Sequence, residues 1–203
     1  VMLPAIDGER LWRSLMTLAE VGAIAGGGVR RLALTDEDRR GRDLFARWCH
    51  EAGCSVRFDA VGNLFARRPG RNPSRPPVVT GSHLDTQPNG GRFDGAYGVM
   101  AGLEVVRALN DAGLETEAPI EVVAWTNEEG TRFAPSMMGS MAYAGLLPLD
   151  AVLGSRDAQG LSFGDELERI GYRGAGLGGD PIGAYFEAHI EQGPVLEETG
   201  HTI

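Results

Sequence analysis

Cysteine is scarce in this sequence, with two in 203 residues. Cys49 and Cys54 stand at a spacing that matches neither a CxxC redox pair nor a zinc knuckle. They read as reduced thiols, which places the chain in the cytoplasm and leaves its stability to packing rather than to disulfides. Also missing is any apolar run near the roughly 18 residues that cross a bilayer, and the N-terminus lacks the basic-then-apolar order of a secretory signal. Positive charge is in deficit: 19 basic against 28 acidic side chains give a net charge of -9. That balance opposes nucleic acid and anionic membranes as partners. Divalent cations meet no such opposition. The one basic cluster, Arg67, Arg68, Arg71 and Arg75, sits among Pro69, Pro73, Pro76 and Pro77 and reads as an exposed loop. No internal repeat or low-complexity tract occurs.

A length of 203 residues with 42% hydrophobic content supports one ordinary core. Leu11, Leu15, Leu18 and Ala19 form a helical stripe over residues 7–21, with Asp7 as N-cap and the run Gly26-Gly27-Gly28 as stop. Thr35 followed by Asp38 resembles a capping box with Asp in place of Glu, opening a helix that runs through Leu44, Phe45 and Trp48 to Gly53. Residues 55–60 and 63–68 read as a strand pair about a Val61-Gly62 turn. The β-branched run 77–82 reads as a buried strand, residues 96–109 as a helix closed at Gly113, and residues 119–126 as another buried strand. Shorter helices are expected over 136–145 and 164–171, and a further strand over 184–190. Strand, helix, strand in that order implies an α/β sheet with helices on its faces and ligands at its strand ends.

The polar residues gather at those strand ends: His83 and Asp85, then Asp94, then Glu128 and Glu129, then His189 and Glu191. Each has an ordinary reading when taken alone. His83 fits a strand-end histidine, Glu128-Glu129 fits solvated charge, Gly90, Gly91, Gly95 and Gly98 fit plain turns, and His50 and His201 have nothing beside them to suggest more. Their joint placement changes the weight, because parallel strand ends converge on one crevice and bring distant residues within a few ångströms. Crowded carboxylates repel unless cations neutralise them. A mixture of imidazole nitrogen and carboxylate oxygen suits zinc, manganese, cobalt or nickel better than calcium.

The string Gly81-Ser82-His83-Leu84-Asp85-Thr86-Gln87-Pro88-Asn89-Gly90-Gly91-Arg92-Phe93-Asp94-Gly95 closely resembles the di-metal aminoacylase and aminopeptidase superfamily. It is closest to the hydantoinase/carbamoylase branch: N-carbamoyl-L-amino-acid hydrolases, β-ureidopropionases and allantoate amidohydrolases. The strings Thr126-Asn127-Glu128-Glu129-Gly130-Thr131-Arg132-Phe133 and Glu187-Ala188-His189-Ile190-Glu191-Gln192-Gly193-Pro194 agree with it. The resemblance implies a three-layer α/β/α catalytic domain with two divalent metal ions. Carried over by position, it makes His83 and His189 ligands of one metal, Asp94 the bridging carboxylate and Glu129 a ligand of the second. Glu128 becomes the general base, returning a water proton to the leaving nitrogen, and Asp85 the acceptor of the His83 imidazole N–H. Gln192 is expected to face the substrate pocket, with a plain structural role as its rival. The peptide bond after Asp94 is expected to be cis.

The implied activity is hydrolysis of the carbamoyl C–N bond of an N-carbamoyl-L-amino acid by a metal-bound hydroxide. Allantoate or another ureido acid is the close alternative, and an inactive metal-binding fragment the competitor from another class. His189 in its string fits this branch better than the peptidase relatives, which tend to carry a carboxylate there. The resemblance further implies that residues 1–203 are the N-terminal portion of the catalytic domain. The inserted dimerisation domain, with the homodimer it forms, and the C-terminal catalytic segment would then lie outside the chain. On that expectation the second metal lacks its imidazole and turnover by these residues alone is weak.

Overall fold

The computed structural model of the chain describes residues 3–178 and 181–202. Its first helix, α1 (Gly8–Ala19), starts where Asp7 accepts a hydrogen bond from the Arg10 amide at 2.9 Å, and it buries Leu15, Leu18 and Ala19 on one side. In α2 (Asp36–Glu51) Thr35 is the cap, its hydroxyl accepting from the Asp38 amide at 3.3 Å. The Asp38 carboxylate turns back to the Leu34 amide, one residue short of a reciprocal capping box, and pairs with Arg42 instead. Leu44, Phe45 and Cys49 carry the buried face of α2. Burial pushes both thiols, Cys49 and Cys54, above their ordinary range, and neither is in a disulfide.

Five strands form one mixed sheet: β1 (Ser55–Phe58), β2 (Leu64–Arg68), β3 (Val78–His83), β4 (Ile120–Trp125) and β5 (Ala184–Phe186), in the order β1-β2-β4-β3-β5. β1, β2 and β4 pair antiparallel, whereas β3 lies parallel to both β4 and β5. Helix α3 (Ala96–Asp111) is the crossover from β3 to β4. The chain therefore leaves β3 toward one neighbour and later returns to β3 on its other side, which opens a crevice at the carboxyl end of β3. Short helices α4 (Met138–Tyr143), α5 (Leu149–Gly154), α6 (Phe163–Arg169) and α7 (Val195–Thr199) complete the described residues. Among the described residues no helix is long and apolar enough to cross a membrane.

Strand alternation divides the apolar residues between two faces. Leu64, Ala66, Ile120, Val122 and Ala124 join the main core with α1, α2, α3 and α6, while Phe65, Val79, Val123 and Trp125 form a smaller cluster with Tyr143 and Ile182. Each fully buried Leu or Phe of the main core contributes roughly 1.5–3 kcal/mol.

Three local expectations need correction. The strand expected over 184–190 stops at Phe186, where its backbone pairing with β3 ends at Thr80; beyond it the Glu187 carboxylate accepts from the Ser82 and Tyr185 hydroxyls. The basic cluster is only partly a loop: Arg67 and Arg68 lie in β2, Arg68 is 9% exposed, and its guanidinium donates to the Asn110 side chain and the Leu114 carbonyl. α5 and α7, of 6 and 5 residues, went unforeseen because so short a segment shows little helical periodicity.

The parallel pair β3–β4 depends on Gly81, whose φ is +152° and whose missing Cβ would overlap the Val123 carbonyl of β4. Gly81→Ala should lower unfolding free energy by about 3 kcal/mol, the upper end of ordinary overpacking, because backbone yields less than side chain. Gly154→Ala, with nothing within 4 Å of the new carbon, should leave stability unchanged or raise it by up to about 1 kcal/mol. Urea unfolding of the two variants checks the contrast.

Candidate metal centre

The sheet register delivers the site. His83 is the last residue of β3 and pairs with Trp125, the last residue of β4, so Thr126–Glu129 depart at the same level. On the other side Thr80 pairs with Phe186; three residues further along both chains lie His83 and His189, whose rings stack with centroids 6.1 Å apart. Asp94 comes from the loop that leads into α3, one residue before its N-cap Gly95. Gly95 makes that entry possible: its φ is +64°, and a Cβ there would overlap the His83 ring. The one cis peptide among the described residues is Ala134–Pro135. The expected cis bond after Asp94 is therefore absent, and the positive φ of Gly95 makes the turn in its place.

His83, Asp94 and His189 present ligand atoms that all lie within 4.8 Å of one another, a group that could hold a metal ion. Asp94 Oδ1 is 3.2 Å from His189 Nε2 and 3.8 Å from His83 Nε2. That oxygen is buried without a hydrogen-bond partner, as is Glu129 Oε1. Two desolvated carboxylate oxygens without donors in one crevice are costly unless a cation takes the place of water, so the donor set fits a divalent ion. Glu129 is placed beside this group rather than within it, its Oε2 accepting from Gln87 Nε2 at 2.5 Å. Glu128 Oε2 lies 3.5 Å from His83 Nε2. Gln192 donates its amide to Asp94 Oδ2.

Asp85 stands in a different place from the one its spacing suggests. His83 Nδ1 is 2.8 Å from the Asp85 backbone carbonyl but 3.9 Å from its carboxylate. The carboxylate is committed elsewhere: it accepts from the Glu128 amide at 3.1 Å and the Glu129 amide at 3.2 Å. One residue thus fixes the histidine through its main chain and the Glu128-Glu129 turn through its side chain. The Nδ1 contact leaves Nε2 of His83 facing Asp94.

The electrostatics follow from crowding. Burial alone would lower the His83 pKa, but the charges of Asp85 and Glu128, the Asp85 carbonyl and Glu129 outweigh it and raise it. Burial pushes the carboxyls of Asp85, Glu128 and Glu129 up, with neighbouring acids adding to the effect. These shifts share one origin, an excess of acid in a desolvated space.

Several supporting residues escaped the reading of the sequence. Glu187 accepts from Ser82 at 2.5 Å and from Tyr185 at 2.8 Å, and Tyr185 in turn accepts from Trp125 Nε1 at 2.9 Å. This string ties β5 to β3 and β4 just below His189. A carboxylate two residues before a strand-end histidine was the available signal. Arg132 donates to Asp157, Glu166 and the Ala33 carbonyl, so the arginine of the Glu128–Phe133 string anchors its loop. Of the other histidines, His50 lies in the last turn of α2 and His201 follows α7.

Residues 79–203 match the model of peptidase family M20/M25/M40. Over 98% of its length the chain is 52% identical to an N-carbamoyl-L-amino-acid amidohydrolase of Rhizobium meliloti, covering 48% of that protein. It is 35% identical to a ureidoglycolate hydrolase of Arabidopsis thaliana, over 98% of this chain and 44% of that one. The crystal structure of a hydantoinase/carbamoylase family amidase from Burkholderia ambifaria superposes with a TM-score of 0.96 and 63% identity, over 98% of this chain and 49% of that one. The chain spans about half the length of these relatives.

The dual use of Asp85 is open to test without any ligand. Asp85→Asn offers one acceptor where two amides need one each, and turns an NH2 group toward the other. Amide exchange at Glu128 and Glu129 should accelerate, with a loss of about 1–3 kcal/mol in unfolding free energy. Wild-type protection at both amides in the variant would contradict the assignment.

Proposed function

The chain belongs to peptidase family M20/M25/M40, and from that premise we propose that it carries half of the catalytic apparatus of a metal-dependent amidohydrolase acting on N-carbamoyl-L-amino acids. The observation that supports this most is the orphaned Oδ1 of Asp94, buried between two imidazoles at 3.2 and 3.8 Å. Its relatives named N-carbamoyl-L-amino-acid amidohydrolases, at up to 52% identity, favour the carbamoyl substrate.

In this reading His83, Asp94 and His189 would hold one divalent ion, and Asp94 with Glu129, released from Gln87, would hold a second. Zinc, manganese, cobalt and nickel all suit such nitrogen and oxygen donors. Bound there, the ions supply positive charge that polarises a carbonyl and acidifies a water. The protein's own residues do the rest. Glu128 is half-buried, close to His83 and raised in pKa by burial, which suits a base that takes a proton from water and returns it to the leaving nitrogen. The Asp85 carboxylate holds the Glu128 amide so that this side chain stays over the crevice. Gln192, donating to Asp94, orients the shared carboxylate. One water added across the carbamoyl C–N bond gives the free amino acid, with the carbamoyl group leaving as ammonia and carbon dioxide.

A ureido acid is the second reading, favoured by the relatives named ureidoglycolate hydrolase at 35–36% identity. The residues above serve either substrate equally, since both present a carbonyl flanked by nitrogen. Ammonia release by the metal-loaded protein from N-carbamoyl-L-amino acids, ureidoglycolate and allantoate separates the two. Glu128→Gln should lower kcat by about 10²–10⁴-fold while metal content stays at the wild-type level. A variant with undiminished kcat would remove Glu128 from the base role.

A further inference from the structure

Arg31 is among the largest fully buried side chains of the molecule, at 1% exposure. Asp38 and Asp85 influence it through space, but it makes no ion pair among the described residues. Burial lowers its pKa to about 10, so the guanidinium keeps its charge at neutral pH. Burying such a group is expensive unless its donors are used. Three of them are used here: Nη1 donates to the Leu18 and Val21 carbonyls at and just after the end of α1, at 3.1 and 2.9 Å, and Nε donates to the Leu84 carbonyl at 2.7 Å.

Leu84 is the residue between His83 and Asp85. Its carbonyl lies within the short turn that aims the His83 ring at Asp94 and the Asp85 carboxylate at the Glu128 and Glu129 amides. The Arg31 main chain clamps the next residue along, donating to Thr86 Oγ1 at 2.8 Å and accepting from the Thr86 amide at 2.9 Å. Arg42 repeats the device one strand over, donating to Asp38, to the Gly62 carbonyl and to the hydroxyl of Thr126, the residue that starts the Glu128-Glu129 turn.

We propose that Arg31 is a positioning residue: its hydrogen bond to the Leu84 carbonyl fixes the turn that aims His83 and Asp85, and thereby sets the metal affinity of the His83, Asp94 and His189 group. This rests on the metal reading of that group. A planar guanidinium joining the Leu18 and Val21 carbonyls to that of Leu84 holds geometry that a lysine ammonium reproduces only in part. Electrostatics acting alone would have the opposite sign. Removing a positive charge near a dication site strengthens cation binding, whereas loosening the turn weakens it.

Cobalt(II) alone is the probe, titrated into the 203-residue chain with visible absorption and chelator competition as readouts and urea unfolding run in parallel. His83→Ala reports whether binding occurs at this group. Arg68→Met is the control, since that guanidinium likewise holds a backbone carbonyl, that of Leu114, at the opposite end of the sheet. Arg31→Met should weaken cobalt binding by about 10–100-fold, the usual effect of losing a group that orients a ligand, and alter the cobalt spectrum. Arg31→Lys should fall between it and wild type. Arg68→Met should lose stability with unchanged cobalt affinity. Unchanged or tighter binding by Arg31→Met overturns the proposal, and if that variant does not fold, unchanged or tighter binding by Arg31→Lys does so. A wild-type chain that takes up no cobalt, or a His83→Ala chain that binds it undiminished, overturns the metal reading and the positioning role together.

Discussion

Four carboxylates converge on one histidine at the end of a parallel strand pair, and that crowding governs the rest of the site. Asp85, Asp94, Glu128 and Glu129 all come to the edge where β3 and β4 stop, with His83 at the centre and His189 stacked beside it. Burial resists ionisation of Asp85, Glu128 and Glu129, and their mutual repulsion adds to it. Hydrogen bonds relieve part of the cost: Asp85 is satisfied by two main-chain amides, one oxygen of Asp94 by Gln192, and one oxygen of Glu129 by Gln87. What is left over, Oδ1 of Asp94 and Oε1 of Glu129, is the unbalanced remainder that calls for cations.

The fold serves this arrangement by register. A parallel pair brings His83 and the start of the Glu128-Glu129 turn to the same height, and β5 on the other side brings His189 there as well. Two glycines permit the close approaches around the site, Gly81 between β3 and β4 and Gly95 against the His83 ring. The buried arginines then hold the strand exits from behind, Arg31 at Leu84 and Arg42 at Thr126. A site assembled from four separate chain segments needs such external anchoring, because no single element is long enough to orient it.

Much of this was legible in the sequence, for a reason that can be stated physically. Apolar periodicity located the helices and strands that became α1, α2, α3, β3 and β4 to within a few residues, because their buried faces are continuous. Polar residues at strand ends marked His83, Asp94, Glu128, Glu129 and His189 as a set. The partners of those residues were not legible. Spacing placed Asp85 beside His83 but could not distinguish its carbonyl, which takes the imidazole, from its carboxylate, which serves a turn 43 and 44 residues away. Arg68 closes the strand expected over 63–68 and reads as exposed among prolines, but its guanidinium is received by Asn110, distant in sequence. Arg31 stood outside every motif. Its role depends on carbonyls of Leu18, Val21 and Leu84, and main-chain acceptors leave no mark in a sequence.

The central claim is that the excess negative charge around His83 is the seat of a divalent ion. Anomalous diffraction from crystals soaked in manganese or zinc tests it most directly. A peak within bonding distance of Asp94 Oδ1 and the Nε2 atoms of His83 and His189 is the predicted result. Crystals that take up metal only elsewhere, with the Asp94 carboxylate still hydrogen-bonded to Gln192 and its second oxygen bare, would contradict it.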